Sequence, residues 1–325
     1  MTMRVRSILF GALGFAALAA IAPWLPPWLV SLATIAFANA LVVLGLIILW
    51  RAGLVPFGQA LFYAIGAYAV ALIGRYTPIR DVFAVILVGA VAAGIVAYLI
   101  GFLLARYREI FFAMLSLAMS MILYGILVKT ETLGSTDGFH VEAGSFFGYR
   151  PDGEMWNLAI YWLVLGFSAV LAWLVSLYFG SVAGSLGNPI RDNEIRVEFL
   201  GLSVDRLIHL KLVISGVLAG IGGALAALAV QHVDPAMSYW TTSGGFVFVT
   251  ILAGAGSVAA AFVGSLAFEL VRSFAVDLVP GTWQMILGTA LLLTILFLPE
   301  GLGSLATRLR RQPKALPDAQ PKAPS

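Results

Sequence analysis

Residues 29–50 read LVSLATIAFANALVVLGLIILW, an uncharged run with one polar residue of note, Asn39. A bilayer core of about 30 Å is crossed by about 20 helical residues, so this stretch can span a membrane as one helix. The run is continuous rather than alternating, and Ala and Leu dominate it, which argues against a barrel strand.

Working outward, similar runs fill most of the chain. Ser7 to Ala22 is short and ends at Pro23, Pro26 and Pro27. Ala60 to Ile73 is short and follows a Gly/Pro break. Val82 to Ala105, Ile110 to Val128, Trp156 to Phe179, the Gly/Ala-rich Leu210 to Val230, and Trp283 to Leu298 complete the set, together with Gly244 to Val276. That last-named run is too long for one span and is interrupted by Gly254-Ala255-Gly256-Ser257. The expected fold is therefore an all-α polytopic transmembrane helical bundle of about 8–10 spans, some broken or re-entrant. Composition agrees: 61% of the chain is hydrophobic and 11% charged, against about 25% charged in an average soluble domain. A soluble core could not hide that much apolar surface.

Ser7 to Ala22, preceded by Arg4 and Arg6 and ending Ala20-Ile21-Ala22, resembles a signal peptide. Pro23 after the cut and the apolar sequence beyond it favour a retained helix. Cytoplasmic loops retain Lys and Arg. Basic residues mark the N-terminus, the 106–109 connection (Arg106, Arg108), the 180–209 loop (Arg191, Arg196, Arg206) and the tail from Arg308 to Lys322. The 129–156 loop carries five acidic residues against two basic ones and reads as external. Both termini on the cytoplasmic side of the membrane require an even number of crossings. Splitting 244–276 gives ten; re-entrant short segments give eight. The expected organisation is an N-terminal membrane helix over 1–28, a permease-like membrane domain over 29–305 and a disordered cytoplasmic tail over 306–325.

Whole classes of chemistry drop out. No cysteine is present, which removes disulfides, thiol nucleophiles and zinc–cysteine sites. His140, His209 and His232 are far apart and lack metal-ligand spacing. No nucleotide-binding, metalloprotease or nucleophile-elbow motif appears, and no basic stripe suits nucleic acid. The chain reads as a transport protein with no cofactor of its own.

Three features carry mechanism. Gly53-Leu-Val-Pro-Phe-Gly-Gln59 interrupts the apolar sequence in the first half and Gly254-Ala-Gly-Ser257 in the second. Paired interruptions mark transporter pathways, so Asn39, Phe57, Gly58, Gln59, Gly254, Gly256 and Ser257 are candidate path residues. A tight surface turn and close glycine packing are the competing readings. Glu269 and Arg272 share a helix face, as a self-neutralised pair near a helix end or as path residues. The 180–210 loop mixes apolar Ile190, Ile195, Val197, Phe199 and Leu200 with Arg191, Asp192, Glu194, Arg196 and Glu198. Pro189 suits a helix start and Gly201 a left-handed stop. The spacing predicts one short amphipathic helix over 190–200, which can dock in a groove of a partner; a solvated surface connector is the competing reading.

At this loop the sequence resembles a family. Arg191-Asp-Asn-Glu-Ile-Arg-Val-Glu-Phe-Leu-Gly-Leu202, with Lys211 opening a Gly/Ala-rich helix, is similar to the branched-chain amino-acid permeases of ATP-binding-cassette importers, LivM-type subunits above all. Four further stretches agree in order: Gly53 to Tyr68, Gly134 to Phe139, Gly254 to Ser257 and Leu296 to Leu302. The resemblance covers roughly residues 30–303. It implies a LivH-type sister permease, two ATP-binding cassette subunits that bind the ATP and Mg, and a periplasmic solute-binding protein. It also implies that Arg191, Asp192, Glu194, Arg196, Glu198 and Gly201 belong to a helix coupled to an ATPase. Ser185 and Asn188 stand where the family usually has basic residues, and Pro56 where Ser is common. Implied substrates are branched-chain amino acids, with urea, amides and aromatic acids taken by relatives. An ion-coupled transporter is the alternative; it would normally show intramembrane carboxylates, and Glu269 is the one candidate.

Overall fold

The computed structural model describes residues 3–151, 153–254, 256–278, 281–297 and 301–303. The expected tail over 306–325 lies outside the described residues. The helices follow the apolar runs: α1 Met3–Ile21, α2 Pro27–Trp50, α3 Gln59–Tyr76, α4 Val82–Leu104, α5 Glu109–Lys129 and α6 Glu154–Gly180. Three short helices come next, α7 Val182–Ser185, α8 Gly187–Asp192 and α9 Glu194–Phe199. Then follow α10 Val204–Val230, α11 Trp240–Ala253, α12 Val258–Leu278 and α13 Trp283–Phe297.

Contacts divide the molecule into two ends. At one, called lower here, Arg51 reaches the carbonyl of Gly256 and Arg108 reaches Glu194 and Asp205. At the upper end the strands Phe139–His140 and His232–Val233 pair antiparallel, and Val82 donates its N–H to Ser145. Among the described residues, α1, α2, α4 to α6, α10, α12 and α13 run between these ends, and α3 and α11 cover part of the distance. The outer end of α1 meets α6 through Tyr161 and Trp162. The segment after α13 returns to the lower end, where the Leu302 N–H donates to the Leu252 carbonyl. Among the described residues, six helices are long and apolar enough to cross a membrane.

α2 lies at the centre. Its most apolar window is 94% buried, as expected of a helix that is hydrophobic all round. α10 packs against α2, α3 and α4. Without water to drive association, helices in lipid gain by close van der Waals approach. Here an added Cβ at Gly66 would collide with the Gly220 carbonyl, and one at Gly223 with the Tyr63 carbonyl. The outer faces of α4 and α6 are apolar where exposed, with Leu87, Val91, Ile95, Leu99, Val170 and Leu174.

Two helices, α3 and α11, begin inside the bundle. α11 has 14 residues, about 21 Å at 1.5 Å per residue. α3 follows the extended segment 54–58 rising from the lower end. α11 follows residues 234–239 descending from the upper end. Their first turns meet inside the bundle, where the Ala60 N–H donates to Ser243 Oγ at 2.9 Å. The interruption expected inside 244–276 is the boundary between α11 and α12, and the helix before it begins at Trp240. Trp156 is buried rather than anchored at a surface, packed near Phe146.

Candidate functional site

The 180–210 loop folds differently from its expected form. Asn193 divides it into α8 and α9 instead of leaving one helix over 190–200. The cause is local: Asn193 is extended, and its side-chain oxygen accepts the Arg196 N–H at 3.0 Å, so it caps a new helix. An Asn that satisfies a backbone N–H in this way competes with helix continuation. Beyond α9, Gly201 takes φ +80°, left-handed backbone that suits glycine.

Apolar residues of the loop separate by face. Ile190 and Val197 are buried in a second core with Leu49, Ala52, Leu54, Leu104, Phe112 and Ile208. Each such burial contributes about 1.5–3 kcal/mol. Phe199, Leu200 and Ile195 point away, 85%, 72% and 65% exposed. Asp192, Arg196 and Glu198 are exposed beside them. An apolar patch rimmed by charge is the pattern of an interaction surface.

Three links bind this platform to the membrane helices. Arg108, ahead of α5, donates to Glu194 at 2.6 Å and to Asp205 at 2.8 Å. Burial pulls the Arg108 pKa down, but those two hydrogen bonds and charges outweigh it, and the pKa lies above the ordinary guanidinium value. Arg191 stacks its stem on Gly53, where a Cβ would lie 2.9 Å from Arg191 Cγ. Gly53 has φ +77°. Gly187 faces Arg51 in the same way. Arg51 in turn donates to the Gly256 carbonyl at 3.1 Å and lies 3.8 Å over the Phe179 ring. The α8–α9 segment, the first interruption and the second interruption therefore meet at one end of the molecule. Beneath them Lys211 is buried and donates to Tyr178 Oη and the Ala183 carbonyl.

The candidate path residues fall into separate groups. Gln59 is fully buried and donates to the Ser215 carbonyl and Oγ, at 3.1 and 2.7 Å. Gly58 packs on the Ser116 carbonyl, and Ser116 Oγ accepts the Phe57 N–H at 3.1 Å. Phe57 is partly exposed. Asn39 donates to Glu269 at 3.0 Å, and Arg272 lies 3.5 Å from the same carboxylate. That pair is real, but Glu269 is buried against the middle of α2 rather than at a helix end. Gly254 has φ +78° and is buried. Ser257 is exposed, and its Oγ accepts the Ala260 N–H, which makes it the cap of α12. Serines missed by sequence reading hold the interruptions: Ser116, Ser215, Ser243, and Ser120, which donates to the Ser238 carbonyl. Arg51 was also missed, since a lone arginine after an apolar run looks like any interfacial charge.

Among the described residues no group of three His, Cys, Asp or Glu could hold a metal ion.

A family model described as branched-chain amino acid transport system / permease component matches residues 28–296. The high-affinity branched-chain amino acid transport system permease protein LivM of Salmonella typhimurium (strain LT2) is 26% identical over 296 residues, 84% of this chain and 69% of the relative. LivM of Escherichia coli (strain K12) matches with the same identity and coverage. No solved structure matches significantly.

Proposed function

The chain belongs to the permease-component family of branched-chain amino acid transport systems, and on that premise we propose that it is the membrane subunit of an ATP-binding-cassette importer. It carries branched-chain or related amino acids into the cytoplasm together with a sister permease. Two ATP-binding subunits dock on α8 and α9, and a periplasmic binding protein delivers the solute at the upper end. The lower end faces the cytoplasm of a bacterial inner membrane, because Arg51, Arg106, Arg108, Arg191, Arg196 and Arg206 cluster there.

One observation carries the reading. The exposed Ile195–Phe199–Leu200 patch belongs to a platform whose other face is tied to both interrupted segments. When the ATP-binding subunits close, they pull α8 and α9. Arg108 passes the movement to the α4–α5 joint and the start of α10. Arg191 and Arg51 pass it to the two interruptions. The chain itself makes and breaks no covalent bond; work enters as differential binding of two transporter states. Selectivity rests largely on the binding protein, and micromolar solute binding by the purified permease pair alone would contradict this.

The absence of native cysteine permits a direct test. Phe199→Cys and Phe147→Cys place single thiols at opposite ends, both in exposed positions. In inside-out vesicles of the assembled importer, a membrane-impermeant maleimide should label position 199, and the ATP-binding subunits should protect it. Labelling of position 147 from that side, or no protection at 199, would overturn the reading.

A further inference from the structure

Far from the coupling surface, at the upper end, a cavity of about 450 Å³ opens between α3, α4 and the loop that carries Phe139 and His140. Its floor is aliphatic, with Val70, Ala71, Val85 and Leu228. Arg75, Arg80 and Glu142 stand at its rim. Small-molecule sites span roughly 300–1,000 Å³, so the space suits a small solute and not a two-chain lipid.

The loop over the cavity is fixed at both edges. Phe139 and His140 pair with Val233 and His232, and the Val141 N–H donates to the Gln231 carbonyl at 2.9 Å. On the other side the Ser145 N–H donates to the Arg80 carbonyl at 2.6 Å, and the Val82 N–H donates to the Ser145 carbonyl at 3.0 Å. The cavity is therefore preformed, and occupying it orders little chain.

The rim charges are unequal. Arg80 forms an ion pair with Glu142, and both side chains stay partly open to solvent. Arg75 lies over the Phe139 ring at 5.3 Å, and among the described residues it has no carboxylate partner. Phe139 is itself held by an edge contact with Tyr68. The rim thus offers a guanidinium steadied by an aromatic ring, next to a carboxylate, above a hydrocarbon floor.

The geometry points to a low-affinity site for a small aliphatic zwitterion, with its carboxylate at Arg75, its ammonium at Glu142 and its side chain on Val70, Val85 and Leu228. An oxyanion head on an aliphatic body is also lipid chemistry, so the test separates the two sources. That the ligand is also the cargo rests on the transport reading; the site itself does not.

The purified full-length chain is titrated with leucine and, separately, with dihexanoylphosphatidylglycerol. Leucine should saturate the wild type with a Kd on the order of 1 mM. Arg75→Gln, at an exposed position, should weaken binding about tenfold or more, and Val85→Trp should abolish it by filling the floor. Absence of saturable leucine binding, equal binding by wild type and Arg75→Gln, or saturation by the lipid alone would overturn the proposal. Leucine binding that persists while the assembled importer shows no ATP-dependent uptake would leave this site standing and remove the transport reading.

Discussion

Arg108 and Arg51 show how single residues join elements that are distant in sequence. Arg108 holds α9 and the start of α10 through Glu194 and Asp205. These pairs are partly exposed, so each adds only up to about 1 kcal/mol of stability; their value lies in fixing position. With its pKa raised, the contribution of Arg108 is complete below the unfolded guanidinium value. It is lost only as pH rises through the higher folded value, so this link adds no pH dependence near neutrality. Glu194→Lys sets a second cation beside Arg108. Uptake by the assembled importer is expected to fall about 5- to 150-fold, the range of a 1–3 kcal/mol coupling, with membrane insertion and thermal stability close to wild type. Gly201→Pro should do likewise, since proline cannot take φ +80°. Normal uptake in both variants would remove the coupling role of α9. Arg51→Ala should uncouple ATP hydrolysis from uptake, read as hydrolysis that persists while transport falls; unchanged transport would show that the Gly256 link carries nothing.

The sequence announces long elements and hides short ones. The helix bounds of α2, α4, α5 and α6 differ little from the apolar runs, because lipid demands uninterrupted helices of fixed minimum length. The division at Asn193 is not legible in the same way: apolar and charged residues alternate through it, and one side-chain hydrogen bond decides the outcome. Ser257 was legible as a cap, a serine just before an apolar run, yet its place beside a glycine pair suggested a path residue instead. The meeting of α3 with α11 and with α10 depends on contacts 183 and 156 residues apart, which no local pattern reveals. Gly58 packs closely on α5, and Gly58→Val would drive a side chain into the Ser116 backbone. The expected outcome is a protein that fails to reach the folded state in detergent, seen as loss of a monodisperse peak in size-exclusion chromatography. A monodisperse, active variant would contradict the packing of the first interruption.

For the whole molecule, the arrangement separates fuel from passage. The lower end gathers both interruptions, the coupling platform and most of the basic loop residues, while the upper end carries the paired strands and the preformed cavity. On the proposed reading, solute movement depends on a companion that hydrolyses nucleotide, and α8 and α9 receive its movement. The most direct measurement is leucine accumulation in proteoliposomes that contain the chain and its sister permease, with and without the ATP-binding subunits, at fixed ATP and binding protein. Accumulation against a gradient is expected only when the ATP-binding subunits are present, and it should disappear with Glu194→Lys. Accumulation by the permease pair alone, without a nucleotide-hydrolysing partner, would contradict the account.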